Sequence, residues 1–206
     1  MTDLRYDEDA NIARLDKLPV LCRAVFALLC ALRLLPSYRR FSDRTGRGDA
    51  TRLEALVEQL GHDLDRSELN DATLESAIET CSSLIPDEAD GWEEETQPYA
   101  EDAAAAVAYA LRARLTGSSQ EAAWAGRRAY EAIDYFVSKS ADRFDLQTDA
   151  EALEHPLLQA ELNRQLRDLR ELAASPSDEL LRSLLERSQR ESEEFFETKG
   201  AFRQGE

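Results

Sequence analysis

The chain has 206 residues, a net charge of −17 and three cysteines. This length fits one domain, and a domain of this size buries roughly 70% of its unfolded surface without a disulfide or a metal. With 43% hydrophobic and 33% charged residues, the composition excludes a disordered chain. The negative charge repels phosphate, which argues against nucleic acid or an anionic membrane as a partner.

The cysteines and the N-terminus predict a cytoplasmic protein. Cys22 and Cys30 lie eight residues apart, about 12 Å along one helix and too far for a disulfide. With Cys81 they are expected to be buried thiols. The polar N-terminus excludes a signal peptide. Arg23 and Arg33 interrupt the apolar segment 18–35, which is therefore expected to be a core helix and not a membrane span.

Composition and periodicity predict an all-α protein. Strong helix formers dominate, glycine and proline are few, and no stretch alternates like a strand. We expect one domain over residues 1–206, built from about seven mostly antiparallel helices in an irregular bundle. Residues 1–9 and 197–206 are expected to be loose termini.

In the first half, a helical region over residues 10–35 is expected to break at Pro19 and to end at Pro36. The next helix carries an apolar stripe at helical spacing, made of Leu53, Leu56, Val57, Leu60 and Leu64. Asn70 or Asp71 is expected to cap a third helix, which stops at Pro86.

In the second half, Pro98 suits the first turn of a helix that ends at Gly117. Ser118-x-x-Glu121 and Thr148-x-x-Glu151 are capping boxes that open two further helices. The short link at Gly117 makes the helices on either side of it antiparallel neighbours. Leucines from 158 to 172 mark another helix, and a last one follows Pro176. Because no apolar residue occurs from 186 to 194, we expect that stretch to be solvated.

The segment from Pro36 to Asp49 is predicted to be a fixed corner between two helices. Two aromatic rings three residues apart would face the core, two glycines allow positive φ, and an aspartate caps the next helix. The corner residues are Pro36, Tyr38, Phe41, Gly46, Gly48 and Asp49.

The same segment is also a candidate anion site. Arg33 and four later arginines lie near the glycines and a helix N-terminus, where guanidinium and backbone N–H groups favour a phosphate. The site residues would be Arg39, Arg40, Arg44 and Arg47. The competing interpretation is a structural turn whose arginines pair with carboxylates of this protein, with Asp49 occupying the helix end.

The segment 36–49 and its flanks resemble a family of bacterial proteins catalogued as domain of unknown function number 416, the YjaG-like proteins. The pattern Pro-x-Tyr-x-x-Phe-x-x-x-Thr-Gly-x-Gly-Asp is its most specific part, and the resemblance covers roughly residues 10–175. Further similar residues are Leu15, Leu18, Phe26, Ile85, Pro86, Pro98, Asp102, Arg114, Leu115 and Gly117. The resemblance implies an all-helical cytoplasmic protein and assigns no activity. This chain departs from the pattern in its acidic N-terminal extension, its polar last helix and its additional arginines near position 40.

Other chemistry has little support in the sequence. The acidic run 87–95 lacks the spacing of a calcium loop and is expected to be a solvated connection. Glu58 and His62 share a helix face but are expected to form a surface pair, so we predict no metal site and no cofactor. The three cysteines fall on apolar faces, and no Gly-x-Ser-x-Gly elbow occurs.

The leading functional hypothesis is a non-enzymatic acidic helical module, regulatory or inhibitory, that binds a protein partner with a basic surface. The alternative is a small-molecule enzyme or sensor that binds a phosphate-containing ligand near residues 38–49. Neither nucleic acid nor a membrane is expected as a partner, and the oligomeric state is left open, a homodimer included.

Overall fold

The computed structural model describes residues 4–66, 68–86, 96–174 and 177–197, and this part of the chain is helical without a strand. The prediction of an all-α bundle is confirmed. Within the described residues, eight helices have seven residues or more, close to the predicted seven. They are α1 (Glu8–Leu15), α2 (Val20–Thr45), α3 (Ala50–Arg66), α4 (Asp71–Ser83), α5 (Gln97–Thr116), α6 (Ser119–Lys139), α9 (Pro156–Ala174) and α10 (Asp178–Glu197). Two short helices, α7 (Ala141–Phe144) and α8 (Asp149–Glu154), lie between α6 and α9.

Helix α2 is the central element of the bundle, and α3, α5, α6, α9 and α10 pack against it. Among the described helices, α2 is long and apolar enough to cross a membrane by length and composition alone. Of its most apolar stretch, 72% is buried inside the bundle. The side chains of Phe26, Leu29 and Phe41 are fully buried, so α2 supplies much of the core.

The prediction that Pro36 ends the helix is wrong, because α2 continues through Pro36 to Thr45. A proline in a helix interior costs roughly 3 kcal/mol, since it removes one backbone hydrogen bond and crowds the preceding turn. Burial of Ser37, Tyr38 and Phe41 beyond the proline offsets this cost. The break predicted at Pro19 is confirmed, with Pro19 at the N-cap of α2.

The corner between α2 and α3 spans residues 46–49 and is shorter than the predicted segment 36–49, because Pro36, Tyr38 and Phe41 lie inside α2. Its two glycines and its capping aspartate have the predicted conformation. Gly46 and Gly48 have φ of 65° and 71°. Asp49 caps α3 by accepting a hydrogen bond from the Arg52 amide at 2.9 Å. The buried Tyr38 hydroxyl donates to the Leu84 carbonyl at 2.7 Å. A Cβ at Gly48 would lie only 2.8 Å from that hydroxyl, so a glycine is required where the turn passes over the ring.

Helices α5 and α6 are antiparallel neighbours, as the short link at Gly117 predicts. The tilted rings of Tyr109 and Trp124 lie 5.4 Å apart, Asp102 pairs with Arg128, and Tyr99 contacts Tyr135 edge to face. In these pairs the residue number falls along α5 as it rises along α6, as antiparallel helices require. Gly117 ends α5 with φ of 69°, and Ser118 caps α6.

The N-terminal segment is attached to the bundle over the part that the structure describes. The Leu4 amide donates to the Gln159 side chain at 2.8 Å, and the Tyr6 hydroxyl donates to the Ala123 carbonyl at 3.1 Å. Tyr6 also stacks on Tyr130. Residues 4–9, expected to be loose, therefore contact α6 and α9. The other expected loose end, beyond Glu197, lies outside the described residues.

Candidate functional site

A cleft with a volume of about 590 Å³ lies between α3 and α10. Its floor is apolar and comes from Val25, Leu28 and Leu32 of the central helix α2. The walls come from α3 and α10 and carry apolar side chains, among them Val57, Leu64, Leu181 and Leu185. They also carry the polar side chains of Glu58, His62, Arg182 and Gln189. The cleft exists because α3 and α10 both pack on α2 while touching each other little.

A second cavity of about 220 Å³ continues the cleft toward the corner. The two cavities share Leu32, Val57, Glu58 and Gln189 in their lining, so they form one groove. The far end is lined by Pro36 and by Arg39 and Glu54. From Glu54 to Leu64 the groove follows α3 for about 15 Å at a rise of 1.5 Å per residue. We call this continuous feature the α3–α10 groove.

Glu58 and His62 stand on the α3 wall of this groove, with exposed side chains. They share a helix face as the sequence predicts, yet no ion pair joins them. Within the described residues neither side chain has a hydrogen bond or an ion pair. Glu58 lines both cavities, so a carboxylate without an ion pair stands halfway along the groove, whose α10 wall also carries Arg182.

The four arginines of the candidate anion site do not line one cavity. Arg39 pairs with Glu54 at 2.7 Å at the far end of the α3–α10 groove. Arg40 is half-buried and Arg44 and Arg47 are exposed; none of the three lines either cavity of the groove, and each has contacts of its own within the protein.

The acidic run 87–95, considered as a cation site, lies outside the described residues. Within the residues that the structure does describe, no group of three or more His, Cys, Asp or Glu side chains is arranged to hold a metal ion.

All three cysteines are free and buried, as predicted. Burial raises the pKa of Cys81 to about 12 and also raises the pKa values of the Cys22 and Cys30 thiols. A thiol in such an environment stays protonated at neutral pH and is a poor nucleophile.

Sequence reasoning missed a buried network of charged side chains between α2, α9 and α10. Arg33 donates to Asp168 at 2.8 Å and to Glu161 at 3.1 Å, and all three side chains are less than 5% exposed. Burial alone lowers the pKa of Arg33, but the neighbouring carboxylates outweigh burial and hold this pKa above its ordinary value. Arg33 is therefore bound inside the bundle and not at the corner, where it was expected beside the other arginines.

The network continues outward along α9 and α10. Arg187 bridges Asp168 and Glu171, both at 2.8 Å. Glu191 forms an ion pair with Arg167 and a longer one with Arg164. The network thus contains four arginines and four carboxylates, so it has no net charge. The members are Arg33, Arg164, Arg167, Arg187, Glu161, Asp168, Glu171 and Glu191.

The expectation that residues 186–194 are solvated is wrong for two buried serines, whereas Glu186, Gln189 and Arg190 are exposed as expected. Ser188 and Ser192 are buried, and the Ser188 hydroxyl donates to the Leu29 carbonyl of α2 at 2.9 Å. In this part of α10, charged and hydroxyl groups replace apolar contacts, because the groups that they meet on α2 and α9 are also polar. A cavity of only about 10 Å³ adjoins the network, too small for a ligand. The network therefore has a structural role: it positions α10, which is one wall of the α3–α10 groove.

These features define a class: an all-α bundle around one long apolar helix, with an open groove on one side and a buried charge network behind one groove wall. The sequence profile of a family described as "Protein of unknown function (DUF416)" matches residues 10–193. The chain belongs to this family, as the resemblance at the corner predicts.

A solved structure shows the same fold. The crystal structure of a DUF416 family protein from Shewanella baltica OS155 superposes with a TM-score of 0.74 at 22% identity, covering 86% of this chain and 92% of that one. At this identity the similarity concerns the fold alone. No functionally curated protein matches the chain.

Proposed function

We propose that this protein is a non-enzymatic binding module whose α3–α10 groove receives a basic amphipathic helix of a partner protein. The observation that carries this proposal is Glu58, a carboxylate without a described partner, standing over the apolar floor formed by Leu28 and Leu32. The occupant would place apolar side chains on that floor and a lysine or arginine beside Glu58.

The shape of the groove favours a helical segment. A groove about 15 Å long accommodates roughly three helical turns at 5.4 Å each. Amphipathic helices bind such grooves through apolar side chains spaced three and four residues apart. The groove supplies apolar side chains for these anchors along its length, from Leu64 and Leu181 at one end to Leu35 and Pro36 at the other, with polar side chains between them.

Charge favours a cationic occupant over an anionic one. The whole chain carries −17, which attracts basic partners and speeds their association. At the groove itself, Arg39 is paired with Glu54, and Arg182 of the α10 wall has an interaction of its own within the protein. Glu58 forms no ion pair within the described residues, so it is the carboxylate that a cation of the occupant would meet. The arginines near position 40 give less support to a phosphate-containing ligand, because only Arg39 reaches a cavity of the groove.

The test uses a synthetic Leu/Lys amphipathic helix of about 12 residues, a length that spans the groove. Its affinity is measured by fluorescence anisotropy for the wild type, Glu58→Lys and Glu75→Lys. Glu75 is an exposed residue of α4 outside the groove, so both variants change the net charge equally. We expect Glu58→Lys to weaken binding on the order of tenfold, since it replaces attraction by repulsion beside the peptide, and Glu75→Lys to have a much smaller effect.

Equal losses in the two variants would mean that the peptide binds anywhere on the acidic surface, and the proposal would fail. A Leu/Glu peptide that bound as tightly as the Leu/Lys peptide would contradict the choice of a basic partner. Thermal stabilisation by inorganic phosphate, abolished by Arg39→Ala, would support the alternative phosphate-ligand hypothesis instead.

A further inference from the structure

Gly61 stands in the α3 wall of the groove, in the interior of a helix where glycine is less favourable than alanine. Each of the other four described glycines has a positive φ, or would place a Cβ within 3.4 Å of a neighbour. Gly61 has neither: a Cβ there would meet only the Leu28 Cδ2 atom, at 3.9 Å. The packing of this bundle therefore gives no reason for a glycine at position 61.

The absent side chain does have a consequence for the groove. The one atom near the missing Cβ belongs to Leu28, which forms the groove floor, so a larger residue at position 61 would project over that floor. Its neighbours along the groove wall are Val57 and Leu64 on one helix and Leu181 and Leu185 on the other. Together these surroundings leave space above Leu28 that is lined by apolar side chains. We call this space the recess.

We infer that Gly61 is a specificity-determining residue, which admits one bulky apolar side chain of the bound helix against Leu28. This inference rests on the proposed function and adds which side chain of the partner helix the groove recognises. The partner helix carries a leucine, phenylalanine or similar anchor that enters the recess at Gly61, with its cationic residue beside Glu58, about one helical turn away.

The test measures stability and affinity together, because a purely structural glycine and a recess make opposite predictions. Gly61→Ala is expected to raise the melting temperature, since alanine favours the helix and meets no close atom. Gly61→Leu should keep the fold and weaken the Leu/Lys peptide by tenfold or more, because its side chain fills the recess. Ala55→Leu is the matched control, as Ala55 is an exposed residue of α3 outside the groove lining.

A complementary change in the peptide identifies the anchor. Peptides in which each leucine in turn is shortened to alanine are titrated against Gly61→Leu, and one of them should recover most of the lost affinity. Wild-type-like binding by Gly61→Leu, with Glu58→Lys still defective, would overturn the recess and leave the proposed function standing. No binding of the Leu/Lys peptide to the wild type would overturn both. A fall in the melting temperature of Gly61→Ala would overturn the claim that packing does not require the glycine.

Discussion

Arg33 and Asp168, 135 residues apart in the chain, meet at 2.8 Å in the interior of the bundle. Asp168 also accepts from Arg187 of α10 at 2.8 Å. The pair therefore connects the central helix α2 through α9 to the last helix. Helix α10 is one wall of the groove, and it has no apolar residue from 186 to 194. The buried pair holds this part of α10 in place, so the shape of the groove depends on the pair.

Removal of Arg33 is the first prediction. Arg33→Ala leaves Asp168 and Glu161 buried without their cation, and truncating one partner of a buried pair costs about 3–5 kcal/mol. Arg39→Ala, which breaks the exposed pair with Glu54, should cost less than about 1 kcal/mol. Urea denaturation measures both. Similar small losses for the two variants would show that the network contributes little to holding α10.

The corner gives the second prediction. Phe41 is fully buried, so Phe41→Ala should lower the free energy of unfolding by roughly 3–5 kcal/mol. Asp49→Ala removes the N-cap of α3 and should cost on the order of 1 kcal/mol. Arg44→Glu changes an exposed side chain and should stay within about 1 kcal/mol. If chemical denaturation found Arg44→Glu as damaging as Phe41→Ala, a charge network and not packing would hold the corner.

The third prediction concerns pH. Burial raises the pKa of Asp102 from 3.8 to about 7, although Arg128 at 3.2 Å acts in the opposite direction. Because the folded protein then binds this proton more tightly than the unfolded chain, the contribution of Asp102 to stability is largest at low pH. It declines as the pH rises from 3.8 to about 7 and is constant above.

Asp102→Asn lacks this titration. The free energy of unfolding of the variant, relative to the wild type, should therefore rise between about pH 4 and pH 7, by on the order of 2–4 kcal/mol. Asp43→Asn, at an exposed position of α2, controls for the loss of a carboxylate. A difference between Asp102→Asn and the wild type that stays constant across this range would contradict the assignment.

Much of the fold could be predicted because its signals are local. The stripe from Leu53 to Leu64, the caps at Asn70 and Ser118 and the turn at Gly117 each depend on residues close in sequence. The prediction at Pro36 was wrong because local propensity opposes a helix there. Burial of Tyr38 and Phe41, which only the tertiary structure supplies, favours the helix.

The site was harder to predict because its parts come from distant segments. Glu58 and His62 could be placed on one helix face, but the opposite wall comes from α10, more than a hundred residues later. For the network, a signal was present: Arg33 interrupts an otherwise apolar helix, and Glu161, Gln165 and Asp168 recur at helical spacing. A buried arginine requires carboxylate partners, but the residues near Arg33 in the sequence do not indicate which carboxylates these are.

The most direct test of the central claim is a methyl NMR titration of the wild type with the Leu/Lys peptide. Binding in the α3–α10 groove should shift the methyl signals of Leu28, Val57 and Leu185, which line it, and leave those of Leu158 and Leu172, buried on α9, nearly unchanged. Glu58→Lys should weaken the shifts in the first group. Shifts absent from the groove leucines, or concentrated on another face of the protein, would contradict the assignment of the groove as the binding site.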